Sequence, residues 1–204
     1  MSPVAIRKLL AHVDADAIAL TGGCAIDRHL TGSGMTRPPS RYPDVDFVAA
    51  RQDAIHASVS SAFLVSHFHV PQPGYPKFLV QLVDPESGVR VDIFPDLAGA
   101  IARAEIADVA GVRLRVLAPD SLLAHKLVTL SKASPTRPVD TKHYRDAQML
   151  AVLCGRDVPQ LPAAHLCDDE YGTDVNACVR CAASANPAFP LADKRRIAEL
   201  LGYT

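Results

Sequence analysis

The chain has 204 residues, 49% of them apolar and 21% charged, with a formal net charge of −1. That balance excludes a disordered segment and a general nucleic-acid coat, which needs a strong positive excess, and the length suits one domain or one domain plus a small appendage. No apolar run approaches the ~20 residues of a membrane helix, and His12, Asp14 and Asp16 break the apolar core a signal peptide requires, so a cytoplasmic protein with reduced or metal-bound cysteines is expected.

The predicted elements begin with a helix over 3–14, where Val4, Ile6, Leu9, Leu10 and Val13 follow helical spacing and Pro3 suits the start. A buried strand over 17–23 ends in two glycines, and a helix continues over 24–30. Residues 31–43 are a loop by composition. A second strand spans 44–49 and a helix 51–63. Strands follow at 64–70, 77–83 and 89–94, the last two joined by the turn DPESG, 84–88. The alternating GVRLRVLA, 111–118, is another strand, and Pro119 opens a helix to about 132. A helix over 140–154 follows a polar linker, and 156–204 reads as a small tail with a final helix near 190–201. The class is α/β (α+β), a mixed sheet flanked by helices with a helical C-terminal extension. The divisions are 1–118 for the core, 119–155 for a helical hairpin and 156–204 for the tail.

The stretch RYPDVDFVAA carries the first chemical signal. Strand side chains alternate, so Asp44 and Asp46 share one face while Val45 and Phe47 enter the core. Two carboxylates so close repel unless a cation neutralises them. Mg²⁺ is a hard cation that takes such oxygens together with substrate phosphates. The alternative is a solvated edge strand. Gly22 and Gly23, at a strand end before a helix, let the backbone approach an anion at the helix N-terminus. Asp92, in the alternating GVRVDIFPD, supplies a third carboxylate for a two-metal site and a base for an attacking hydroxyl, or simply pairs with Arg90 on its own face.

This order of a diglycine at a strand end, then D-x-D, then a lone Asp resembles the nucleotidyltransferase fold of the DNA polymerase β superfamily, over roughly residues 4–150. The resemblance implies a mixed sheet flanked by helices, a phosphate loop at Gly22 and Gly23, and Mg²⁺ (or Mn²⁺) on Asp44, Asp46 and Asp92 with an NTP as substrate. Lys126 on one helix and the Lys142, Arg145, Asp146 pattern on the next are similar to abortive-infection type nucleotidyltransferase toxins and minimal nucleotidyltransferases. By that resemblance Lys126 contacts the triphosphate and Asp146 supports the site; otherwise Lys126 is solvated and Asp146 pairs with Lys142. The sequence departs from the family at Cys24, where Ser or Thr is usual and a thiol donates poorly. Arg37 and Arg41 either fold over the nucleotide or sit in water.

The acceptor is open. Between Lys126 and Arg145 five Lys/Arg face one acid, Asp140, an excess that suits an RNA backbone such as a tRNA acceptor stem or is merely a solvated hairpin. The toxin-like resemblance implies RNA as acceptor and an antitoxin protein as partner. An antibiotic-modifying enzyme and a non-catalytic nucleotide- or RNA-binding module are the alternatives. In the tail, Cys178-x-x-Cys181 is a zinc half-site that His165 and Cys167 (or Cys154) can complete as a structural staple; the alternative is reduced cysteines on one helix face.

Overall fold

The computed structural model describes residues 3–38, 44–69 and 77–167. The helices are α1 (Pro3–Leu10), α2 (Gly22–Leu30), α3 (Val59–Ala62), α4 (Pro119–Leu130) and α5 (Thr141–Cys154). The strands are β1 (Ile18–Thr21), β2 (Asp44–Ala49), β3 (Leu64–His69), β4 (Leu79–Val83), β5 (Arg90–Pro95), β6 (Glu105–Val109), β7 (Val112–Val116), β8 (Val139–Asp140) and β9 (Leu166–Cys167). Among the described residues, β1 to β7 form one seven-stranded sheet in the order β3-β4-β5-β2-β1-β7-β6. The β2–β5 and β1–β7 pairs are parallel and the other neighbours antiparallel. The fold is therefore a mixed α+β sheet flanked by helices, as the element order predicts.

Alternation along β2 sets the site. Val45 and Phe47 are fully buried, whereas Asp44 and Asp46 on the other face keep partial access to solvent. Burying Phe47 contributes roughly 1.5–3 kcal/mol, so a one-residue slip that would reverse the two faces is strongly opposed. The core runs continuously from Ile6 and Leu9 of α1 through the sheet to Leu122 and Leu123 of α4 and Leu150 of α5. The 119–155 hairpin thus shares its core with residues 3–118.

Local chemistry fixes the helix ends near the site. Pro119 opens α4, where its missing N–H costs nothing. Asp140 caps α5 by accepting from the Lys142 N–H at 2.8 Å, and Gly155, at φ 60°, ends it in the left-handed region.

The structure departs from the predicted elements in several places. The helix expected over 51–63 is a 3-10 turn at Gln52–Ala54 and the short α3. An isolated bridge between Val13 and Ile55, and a hydrogen bond from the Asp14 N–H to the Ala54 carbonyl, hold the intervening chain extended. The same bridge ends α1 early, at Leu10. The strand predicted over 17–23 stops at Thr21, because Gly22 has φ +62° and starts α2. Strand β6 is additional. It is an edge strand in which only Val109 is buried, so it carries no apolar alternation to announce it. The final helix near 190–201, like Arg41, Cys178 and Cys181, lies outside the described residues.

Candidate active site

Parallel pairing of β2 with β5 places Asp44 opposite Arg90 and Asp46 opposite Asp92. Residues paired across neighbouring strands share a face, so Asp44, Asp46 and Asp92 occupy one patch. The row continues in both directions: Thr21 of β1 is opposite Asp46, Gln81 of β4 opposite Asp92, and His67 of β3 opposite Gln81. Sheet register thereby brings the distant Asp92 to the two acids that β2 already carries on that face.

Their charges are only partly compensated. Burial, then the charges of Asp44 and Asp92, push the Asp46 carboxyl from 3.8 up to about 7, against the opposing charges of Lys126 and Arg90. Burial also raises Asp92, although Arg90 and Gln81 oppose it. The Gln81 side chain donates to Asp92 Oδ1 at 3.2 Å. Arg90 Nη2 stands 2.9 Å from Asp92 Oδ2 and 3.7 Å from Asp44 Oδ2. The sequence alternative of an Arg90–Asp92 pair is thus realised, with Asp44 added to it.

Gly22 abuts this patch. A Cβ at its position would collide with Asp46 Oδ2, Cβ and Cγ, so only glycine lets α2 begin beside that carboxylate. Thr21 provides no side-chain cap to α2, which leaves the helix start to offer its N–H groups to an anion. Cys24 is turned elsewhere: its thiol donates to the Asp44 carbonyl at 3.6 Å, tying α2 to β2. Burial, then Asp46 and Asp44, push the thiol up to about 12, so it stays protonated and unreactive.

A second cluster stands alongside. Lys126 Nζ of α4 is 2.8 Å from Asp146 Oδ2 of α5 and 3.1 Å from His143 Nδ1. Burial, then the charges of Lys126 and Lys142, lower His143 to about 4, so its neutral ring accepts from the ammonium. Asp146 is buried and pairs with Lys126, which comes from the facing helix α4. Arg37 joins both sides of this cluster. It makes a two-pronged pair with Asp27 of α2 at 3.0 and 3.1 Å, lies 3.8 Å from Asp146 Oδ1, and runs past Gly23. Lys126 and Arg37 therefore bring two cations next to the α2 start and the acidic patch. Sequence reading missed His143 and Gln81, neither of which has a local signal; Arg37, expected either over the nucleotide or in water, is held by Asp27 beside Asp146 and Gly23.

Among the described residues, no three His, Cys, Asp or Glu side chains stand ready-placed to hold a metal ion. The donor set of the patch nonetheless fits a hard divalent cation: three carboxylates, two adjacent strands, one face, and surplus negative charge. Of the zinc set, His165 and Cys167 are described. Cys167 lies in β9 opposite Asp140, its carbonyl accepting from the Thr141 hydroxyl at 3.0 Å, and Cys154 is a free thiol at the end of α5. No helix among the described residues is long and apolar enough to cross a membrane.

Fold and site together define a mixed α+β domain with an acidic sheet face beside a diglycine helix start. Solved nucleotidyltransferases are among the structures similar to it. ANT(2")-Ia in complex with adenylyl-2"-tobramycin is 23% identical, with a TM-score of 0.49 over 74% of this chain and 88% of that one. An antigenic nucleotidyltransferase-like protein from Paracoccidioides brasiliensis is 18% identical, with a TM-score of 0.43 over 95% and 89%. JHP933 from Helicobacter pylori is 14% identical, with a TM-score of 0.39 over 98% and 90%. No protein-family profile and no curated protein matches the sequence.

Proposed function

We propose that the protein is a nucleotidyltransferase that uses Mg²⁺ (or Mn²⁺) to move a nucleoside monophosphate from an NTP to an acceptor hydroxyl. The observation that carries this reading is the in-register patch of Asp44, Asp46 and Asp92 beside the Gly22 start of α2. Asp44, Asp46 and Asp92 would hold the cation, which when bound supplies neutralising charge to the triphosphate and acidifies the attacking hydroxyl. The N–H groups at the start of α2 receive phosphate oxygens. Lys126, and Arg37 across from it, add positive charge on the same side. Asp92 takes the acceptor's proton as the acceptor oxygen bonds to the α-phosphorus. The bond from that phosphorus to the bridging oxygen breaks, and pyrophosphate leaves.

RNA is the acceptor we favour. Beyond Asp92 the same sheet face offers Gln81 and His67, and β3 and β4 carry no carboxylate. A polycationic acceptor such as an aminoglycoside would need acids there, whereas a base or a sugar-phosphate finds hydrogen-bond donors and imidazoles. Lys132, Arg137 and Arg145 are exposed and add basic surface. A toxin-like role, restrained by an antitoxin protein, follows from this reading as a proposal about its biology. So does a zinc staple in the tail, which zinc analysis of untagged protein tests.

The test is incubation with each labelled NTP, Mg²⁺ and either total RNA or an aminoglycoside, for the wild type, Asp44→Ala and Asp46→Ala. Label in RNA, lost in both variants, is the expected result. Undiminished transfer by the variants removes the mechanism; label in the aminoglycoside alone reassigns the acceptor.

A further inference from the structure

We infer that Arg90 is the built-in counter-cation of the acidic patch and that it competes with the divalent ion for Asp92 and Asp44, so that it lowers metal affinity in the absence of nucleotide. This inference rests on the nucleotidyltransferase reading of the patch and goes beyond it by giving a role to a residue outside the carboxylate set.

The geometry is specific. Arg90 and Asp92 lie two residues apart on one face of β5, and Asp44 is Arg90's direct partner on β2. Arg90 Nη2 lies 2.9 Å from Asp92 Oδ2 and 3.7 Å from Asp44 Oδ2. Gln81 Nε2 engages the other oxygen, Asp92 Oδ1, at 3.2 Å. Each oxygen of Asp92 therefore already has one donor. A divalent cation draws on the same carboxylate as the guanidinium and is repelled by its charge, so metal binding at Asp92 is favoured as Arg90 gives way. Arg90 is the one whose departure changes the charge, and its side chain, 14% exposed, keeps contact with solvent. The natural destination is an incoming triphosphate, since guanidinium matches phosphate oxygens in a two-pronged manner. Before that arrives, the Arg90 guanidinium stands between Asp44 and Asp92.

The purpose of such an arrangement is order of assembly. Like charges gathered on one strand pair are costly without a cation. Arg90 supplies one during folding, then exchanges it for metal when the triphosphate offers it a new anion. A purely structural arginine makes the opposite forecast, because its removal would loosen the patch and weaken metal binding.

The test is Mn²⁺ titration of the full chain without nucleotide, read by electron paramagnetic resonance of the free ion, for the wild type, Arg90→Gln and Arg90→Lys. Arg90→Gln is expected to bind Mn²⁺ about tenfold more tightly than the wild type. Arg90→Lys, whose point charge cannot span both carboxylates, is expected to bind two- to threefold more tightly. If Arg90→Gln folds only when Mn²⁺ is added, as followed by circular dichroism, the inference is supported as well; if it fails to fold at any Mn²⁺ concentration, Arg90→Lys decides. Equal or weaker binding by the variants, with clear binding by the wild type, overturns the role of Arg90 and leaves the metal site standing. No Mn²⁺ binding by any of the proteins overturns the metal reading and this inference together.

Discussion

Gly22 lies against the Asp46 carboxylate so closely that a Cβ on residue 22 would fall onto its Oδ2, while its φ of +62° is itself one that side-chain-bearing residues avoid. Gly23 differs: it has no such φ, and the atoms its Cβ would meet belong to the end of the Arg37 side chain, which can move. Gly22→Ala is therefore expected to cost ~1–3 kcal/mol from backbone strain and to displace Asp46, eliminating measurable Mn²⁺ binding. Gly23→Ala should retain binding within a few-fold. Urea denaturation and Mn²⁺ titration of the two variants check this, and equal behaviour would refute the claim that Gly22 positions the carboxylate.

Asp46 gives the metal-free protein an unusual pH profile. Its carboxyl stands at about 7 when folded against an ordinary 3.8, because of burial and then Asp44 and Asp92. Between those values the folded chain holds a proton that the unfolded chain releases. This group's contribution is thus fully favourable below 3.8 and is lost as pH rises to about 7. Denaturation in EDTA from pH 5 to pH 8 should show the limb attributable to Asp46 in the wild type and its absence in Asp46→Asn. Superimposable wild-type and Asp46→Asn profiles would remove the assignment.

The Lys8–Asp84 pair acts in the opposite direction. Asp84 is fully buried, and Lys8 Nζ reaches Asp84 Oδ1 at 2.8 Å and Glu86 at 3.2 Å. Burial pushes the Asp84 carboxyl up, but hydrogen bonds from Lys8 and Ser87 outweigh it and hold it below its ordinary 3.8. Its contribution is present above 3.8 and is lost as pH falls through the lower folded value. Lys8→Met leaves that carboxylate without its cation and is expected to cost ~3 kcal/mol. Acid unfolding should move to higher pH in this variant, with Mn²⁺ affinity unchanged. An unshifted acid transition would show the pair to be energetically silent.

Lys126 is placed between Asp146 and the acidic patch, so its two neighbours can be separated experimentally. Lys126→Met removes a charge that holds Asp46 down and should raise the apparent Asp46 value above about 7, while weakening NTP binding about tenfold, or ~1.4 kcal/mol. Asp146→Asn keeps the ammonium but loosens its anchor, and should weaken NTP binding less while leaving the Asp46 profile near that of the wild type. Fluorescence titration with a labelled NTP, together with the EDTA stability profile, distinguishes the two. Identical effects on both readouts would mean that Lys126 acts only through Asp146.

Strands β2 and β5 were legible because apolar and polar residues alternate along them: Asp44 and Asp46 fall on the partly exposed beat of β2, and Asp92 alternates with Val91 and Ile93 in β5 although it is itself buried. Pro119 and Gly155 likewise announced the ends of their helices. The 51–63 segment misled because its apolar spacing also suits a helix, whereas the Val13–Ile55 bridge holds part of it extended. β6 was illegible because it leaves Ile106 exposed at a sheet edge, with no buried face to create a pattern.

The sequence by itself determined which residues each strand turns toward the core, and therefore that β2 carries two acids and β5 one acid and one arginine on their other faces. Only the tertiary structure decided that these faces coincide: parallel register set Asp46 beside Asp92, placed Arg90 across two carboxylates, and brought Asp146 of α5 to Lys126 of α4. Alternation is a local steric property of each strand, whereas the choice of neighbour, and hence of partner charge, depends on how distant segments bury their apolar faces together.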